Sequence, residues 1–308
     1  MRRLNDLPPE ARNDVERDDR GVATIFVILA MTAILIGAAL AIDVGRYVLE
    51  ARSAQNSADA TALAVATDCA LTGSPIVDYT PYRKDGQTTS TPACGSNEAT
   101  ITVTKTVDQT FLQQSVGDVN RSATAKWGTL GTASTLPITI ADCEFTADEG
   151  ETVTLYLDDP KPQTGCSSLP GGFSQLLGDD CEVTITAGGF APGKPGGDLQ
   201  KDVPCITDPN GPPALPYDVL IPIYDAQACA DAGCKGKGPY KIKGFALLSV
   251  TGYSFNGNAY DGNLDKKCPD DKERGKYCMR GFYKKFVTTR GTPGDSQDFG
   301  VSQVYLSD

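Results

Sequence analysis

The sequence predicts an α+β fold class: a long N-terminal transmembrane helix, a small αβ module, then a disulfide-stapled and mostly antiparallel β domain. Three observations carry this. Val22 to Ile42 is a run of 21 residues without a charge. Beyond residue 98 apolar side chains recur with the two-residue period of strands. All ten cysteines follow residue 68, and no two stand in a CxxC pair. A length of 308 residues leaves room for about two domains. The expected divisions are a tail over 1–20, a transmembrane helix over 21–42, a helix extension with the αβ module over 43–128, and a β-rich domain over 129–308.

Thr24 and Thr32 are the only polar side chains in the apolar run. At 1.5 Å per residue the run spans about 30 Å, the thickness of the hydrocarbon core. A cleaved secretory signal has a shorter apolar stretch, about 7–15 residues. Here the run continues without a break into helix-compatible sequence, Asp43 to Leu71, which favours a retained anchor. Arg2, Arg3, Arg12, Arg17 and Arg20 precede the run, and only Arg46 and Arg52 follow within 20 residues. The positive-inside rule then puts the N-terminus in the cytoplasm and the C-terminal part outside. An extracytoplasmic location permits disulfides. Short intervening loops make Cys166–Cys181, Cys268–Cys278 and Cys229–Cys234 the disulfide candidates, although spacing alone does not fix the connectivity of ten cysteines.

Ala33, Gly37, Ala41 and Gly45 recur every four residues, a small-residue stripe along which membrane helices pack closely. Outside the membrane, Val44, Val48, Ala51, Gln55, Ala58, Ala62 and Val65 form a narrow heptad-like line, which predicts a contact face for a closely approaching partner surface. Arg46, Glu50, Arg52 and Asp59 fall off that line. The helix is expected over about 21–70, ended by Gly73, Ser74 and Pro75.

These residues carry a family resemblance. Asp43, Gly45 and Arg46 form an AxDxGR element just outside the apolar run. Gln55, Ala58, Asp59, Ala62 and Leu63 belong to a QxxADAxALA element at helical spacing. Over residues 20–68 the chain resembles the N-terminal module of the Flp (tight-adherence) pilus-assembly TadE/TadG-like proteins. The resemblance implies an accessory, minor-pilin-like component that works with the membrane and with other pilus-assembly or pilin-like subunits, and it implies no enzymatic activity. Cleaved pilin-like members carry Glu at the fifth position after the processed glycine. Counted from Gly21 that position is Phe26, which points to a permanent anchor of the TadG type.

The outer part reads as strands. Ile101, Val103 and Val107 alternate with Thr100, Thr102, Thr104 and Thr106 over 99–107. Asp108 can cap a short helix over 109–116, and 121–127 alternates again; this strand–helix–strand unit suits a pilin-like module. Further strands are expected over 136–140, 152–157, 181–187, 219–224, 242–251, 280–289 and 300–306, separated by turn-rich stretches such as 192–197 and 209–216. The outer domain also resembles, more loosely, the extracellular part of some TadG-related proteins, in the order LPI, a Cys-bounded Gly-Gly-Phe segment, LIPIYD and KGFALLSVTGY.

Composition narrows the chemistry. The chain has no histidine, which removes Ser-His-Asp and Cys-His nucleophile pairs and His-ligated zinc. Its net charge of −11 has the wrong sign for a nucleic-acid binder. Residues 235–290 run against this, with 13 Lys or Arg against 5 Asp or Glu. Lys266, Lys267, Lys284 and Lys285 belong to that basic face, whose alternative role is contact with anionic cell-wall polymer. Asp261, Asn263 and Asp265 begin like a calcium loop, but Lys266 stands where such a loop needs Gly and Lys272 where it needs Glu. No metal or cofactor is expected. The carboxylate pairs Asp158–Asp159, Asp179–Asp180 and Asp270–Asp271 are adjacent in sequence, and neighbours on a strand face opposite ways, so they make no acid–base pair.

Overall fold

The computed structural model describes residues 9–75, 78–108, 115–145, 149–156, 173–178, 181–194, 215–234, 238–255, 258–260 and 277–307. One helix, α1 (Pro9–Thr72), dominates the N-terminal part. Proline is tolerated in a first turn, where its missing N–H is unpaired in any case. The helix ends at Gly73, whose φ of 77° is the left-handed cap conformation that side chains resist. Its N–H donates to the Cys69 carbonyl at 2.9 Å. The start at Pro9 is earlier than the sequence signals indicate, because helical backbone continues through the charged residues before the apolar run.

The chain forms two compact units, to both of which α1 and the first long strands contribute. The first comprises α1 up to Thr61, β1 (Gln87–Thr89), most of β2 (Glu98–Asp108) and the start of β3 (Ser115–Thr135). Ile101, Val103, Val107, Val119 and Ala123 are buried here. The outward residues form a polar ladder across β2 and β3: Thr102 to Ser122 at 2.8 Å, Thr104 to Asn120 at 2.7 Å, and Thr106 to Asp118 at 2.6 Å. Such cross-strand pairs fix register on a face with no apolar pattern to do so. Of the helix expected over 109–116, residues 109–114 lie outside the described residues. Ser115 and Val116 are strand, since sheet pairing overrides the capping signal of Asp108.

The second unit holds the rest. Its elements are β4 (Ile138–Ala141), β5 (Thr152–Tyr156), β6 (Phe173–Gln175), β7 (Val183–Thr186), β8 (Phe190–Ala191), β9 (Tyr217–Tyr224), α2 (Ala226–Ala232), β10 (Tyr240–Phe255), β11 (Asn258–Tyr260), β12 (Cys278–Lys284), β13 (Phe286–Thr288), β14 (Thr292–Gly294) and β15 (Val301–Ser307). One sheet runs β1-β2-β3-β15-β13, with β7 and β14 also on β3. The other runs β5-β12-β10-β9-β4-β6, with β8 and β11 on β10. Pairing is mostly antiparallel; β4–β9 and β13–β15 are parallel.

Strand β10 is buried on both faces, which explains its near-continuous apolar run. Ala246, Leu248 and Val250 join a core with Ile138, Ile140, Leu155, Ile221 and Met279. Ile242, Phe245 and Leu247 join another with Leu130, Leu176, Tyr224 and Val301. Glycine is required where β12 crosses β10: a Cβ on Gly281 would overlap the Ser249 carbonyl. The single strand expected over 280–289 divides at Lys285, where the chain leaves β10 and joins β15. The strand expected over 136–140 starts at Ile138, because Leu136 and Pro137 separate it from β3.

Candidate functional site

The motif residues stand on α1. Ala58 and Ala62 are fully buried and Leu63 is half-buried. The Gln55 amide donates to the Asp59 carboxylate at 2.8 Å, one turn along the helix, and to the Ser122 carbonyl of β3 at 3.4 Å. The Gln87 amide of β1 reaches the Ser53 hydroxyl at 3.3 Å. Within the first unit these two amides tie the helix to the strands while Ala51, Ala54, Ser57 and Ala58 bury a face without bulk. The AxDxGR element lies nearer the apolar run: Asp43 is buried, Gly45 and Arg46 exposed.

Of the line expected to face a closely approaching surface, Ala51, Ala58, Ala62 and Val65 are buried within the chain. Val44 and Val48 are 60% and 41% exposed, whereas Asp43, Ala54, Ser57 and Thr61 are buried. Ala33, Gly37, Ala41 and Gly45 are all exposed, and a Cβ added to Gly37 or Gly45 meets no atom within 4 Å.

Disulfides join Cys69 to Cys94 (Cα–Cα 5.7 Å) and Cys229 to Cys234 (5.2 Å). Cys143, Cys181 and Cys278 are also disulfide-bonded. Cys166 and Cys268 lie outside the described residues. The Cys69–Cys94 bridge has no short-loop signature in the sequence, since 25 residues separate its ends. The three adjacent carboxylate pairs and the 261–265 triplet also lie outside the described residues.

Of the basic face, Lys266 and Lys267 lie outside the described residues. Lys284 is held by Asp218 at 3.0 Å and stands 5.2 Å from the centre of the Phe282 ring. The Ser249 hydroxyl and the Lys284 ammonium together hold the Asp218 carboxyl below the usual carboxylate range. Lys285 uses its main-chain N–H on Glu149 at 3.5 Å. Elsewhere Lys243 donates to Asp142 at 2.8 Å, and that bond raises its pKa. Asp142 also accepts from the Ala226 N–H at 3.1 Å, which fixes the start of α2. Sequence reasoning missed this lock, because its partners lie 84 and 101 residues apart from Asp142.

The helix is the one element among the described residues long and apolar enough to cross a membrane. Its motif-bearing part decides the comparison with known proteins. Residues 21–68 match the Tad family, Flp pilus-assembly TadE/G-like. The match begins at the apolar run and ends one residue before Cys69, so the TadE/G-like segment is part of α1 alone. Comparison with curated proteins returned no match, and neither did comparison with solved structures. A TadE/G-like segment on a single apolar N-terminal helix fits a membrane-anchored Flp/Tad component.

Proposed function

We propose that the chain is a single-pass accessory or minor-pilin-like component of Flp/Tad pilus assembly, with a structural rather than catalytic role. The observation that carries this reading is the TadE/G-like match over 21–68, which coincides with the apolar helix and the motif residues that seat it. In this reading α1 docks in the bilayer through Ala33, Gly37, Ala41 and Gly45. Lipid offers helices little hydrophobic drive to associate, so close backbone approach over small residues supplies the contact. The cytoplasmic side takes the arginine-rich tail, and the disulfide-bonded part makes its contacts outside.

Site-specific cross-linking in native membranes tests this. A cysteine at Gly37 or Ala41 is expected to trap a pilus-assembly or pilin-like subunit, whereas a cysteine at Leu35, on the opposite side of the helix, is not. Equal yields from both sides would remove the packing stripe from the reading.

A further inference from the structure

Beyond the apolar run, helix α1 has a seated side and an open side. Ala54, Ser57, Ala58 and Thr61 are buried in the first unit. Gly45, Val48, Leu49, Arg52 and Asn56 are exposed, and a Cβ added to Gly45 meets no atom within 4 Å. At about 100° per residue the open set lies opposite the seated one. Gly45, Arg52 and Asp59 stand seven residues apart, so they share one line along the open side, and Ala41 and Val48 run beside it. Asp59 is half-buried and accepts from the Gln55 amide at 2.8 Å. Among the described residues the Arg52 side chain makes no hydrogen bond or ion pair.

Lipid does not cover this side. With the apolar run ending at Ile42, Leu49 stands about 10 Å beyond it and Arg52 about 15 Å beyond it along the helix. The headgroup layer adds only about 5–7 Å to each side of the hydrocarbon core. Val48 and Leu49, the latter 66% exposed, therefore meet water, beside a cation without a partner. Apolar side chains grouped with an arginine are the composition of protein interfaces.

Charge selects the occupant. Two copies of this chain anchored in one bilayer stand level, which sets Arg52 against Arg52 and Asp59 against Asp59. Like charges across a helix pair repel and so decide partner choice. The complementary helix has a carboxylate level with Arg52 and a cation level with Asp59, two turns further from the bilayer. We infer that the open side of α1 docks the extramembrane part of a helix from a different membrane-anchored protein, one with this reversed charge pair, and that the same charges keep copies of this chain apart. The inference rests on the membrane anchor proposed above and carries its contact beyond the bilayer.

Photo-cross-linking of the full chain in its native membranes tests this, with benzoylphenylalanine placed at Val48. Mass spectrometry of the cross-linked peptide is expected to identify a different protein, at a site within a turn of an Asp or Glu and flanking its apolar helix. Arg52→Glu is expected to lower that yield about fivefold, the scale of an exposed charge pair turned into a repulsion. Arg52 is exposed, so Arg52→Glu should melt as the wild type does, and Arg52→Lys should keep the yield. A second arm needs no other protein. Two differently tagged copies of this chain should not cross-link to each other until one of them carries Arg52→Glu, with or without Asp59→Lys. The inference fails if unaltered copies cross-link as readily as the charge-reversed pair, if Arg52→Glu leaves the partner yield unchanged, or if Val48 captures only lipid or the chain's own strands. Capture at Gly37 without capture at Val48 would overturn the inference and leave the pilus-assembly reading standing, whereas loss of both would remove both.

Discussion

Ala58 and Ala41 have the same side chain and opposite surroundings. Ala58 is fully buried on the motif-bearing part of α1, and Ala41 is exposed on the apolar part. Ala58→Leu adds three carbons to a filled face, and overpacking of this kind costs about 1–3 kcal/mol. Its melting temperature in detergent is expected to fall by several degrees. Ala41→Leu is expected to melt like the wild type yet to lose the cross-link that a Gly37 cysteine forms. An unchanged melt for Ala58→Leu would show that the face is loosely packed. Asp218 is a residue-scale case of charge. Its carboxyl lies below its ordinary value of 3.8, owing first to the Ser249 hydroxyl and then to Lys284. A carboxyl depressed on folding stabilises the native state above its unfolded pKa, and that contribution fades as pH falls through the folded value. Asp218→Asn is therefore expected to flatten the acid side of the stability–pH curve below about pH 4. Equal acid slopes for the two proteins would assign that dependence to other carboxylates.

At the scale of elements, the two bridges with known partners close loops of different length. Cys69–Cys94 spans 25 residues and Cys229–Cys234 spans 5. Loop-closure entropy puts about 3.5 kcal/mol on the first and about 2 kcal/mol on the second. Replacing both cysteines of one bridge by Ala is expected to lower the urea midpoint more for the first pair, and the reverse order would point to native-state effects beyond entropy. Element legibility followed physical signal. Strands β2, β9, β10 and β15 announce themselves through β-branched or apolar periodicity over seven residues or more. Strands β1, β6, β8 and β14 have two or three residues each, too few for any period to show, and they exist because a long neighbour offers unpaired backbone groups. The helix was plain from its length and its Gly73 stop. Part of its inward face was legible too, since Ala51, Ala58, Ala62 and Val65 of the heptad-like line are buried, while Ala54, Ser57 and Thr61 carry too little hydropathy to stand out. The Asp142–Lys243 lock had no local signature at all, since only the folded sheet brings its partners together.

For the whole molecule, the anchor and the disulfides constrain one another. A single apolar helix leaves the flanking segments on opposite sides of a membrane, and the cysteines all follow it. Disulfides form and persist in oxidising compartments, so the orientation proposed above puts the segment that carries Cys69–Cys94 outside. The proposed orientation has a second, independent argument in the five arginines before the apolar run against two in the 20 residues after it. The two arguments share no residue, and their agreement is what makes the orientation testable as one proposition. With the unsubstituted chain as the labelling control, an introduced thiol reports its own side of the membrane. In intact cells a membrane-impermeant maleimide is expected to label Asp85→Cys, an exposed position beyond the helix, and to leave Asn13→Cys unlabelled until the membrane is permeabilised. Labelling in the opposite order would invert the anchor, place the disulfide-bonded part in the cytoplasm and remove the pilus-assembly role proposed for its outer surface. Mass spectrometry of the Asn13→Cys protein adds a second outcome to the same experiment. A chain still carrying the residues before Gly21 is a permanent anchor, whereas their loss would make Gly21 a processing site despite Phe26 and turn the protein into a filament subunit.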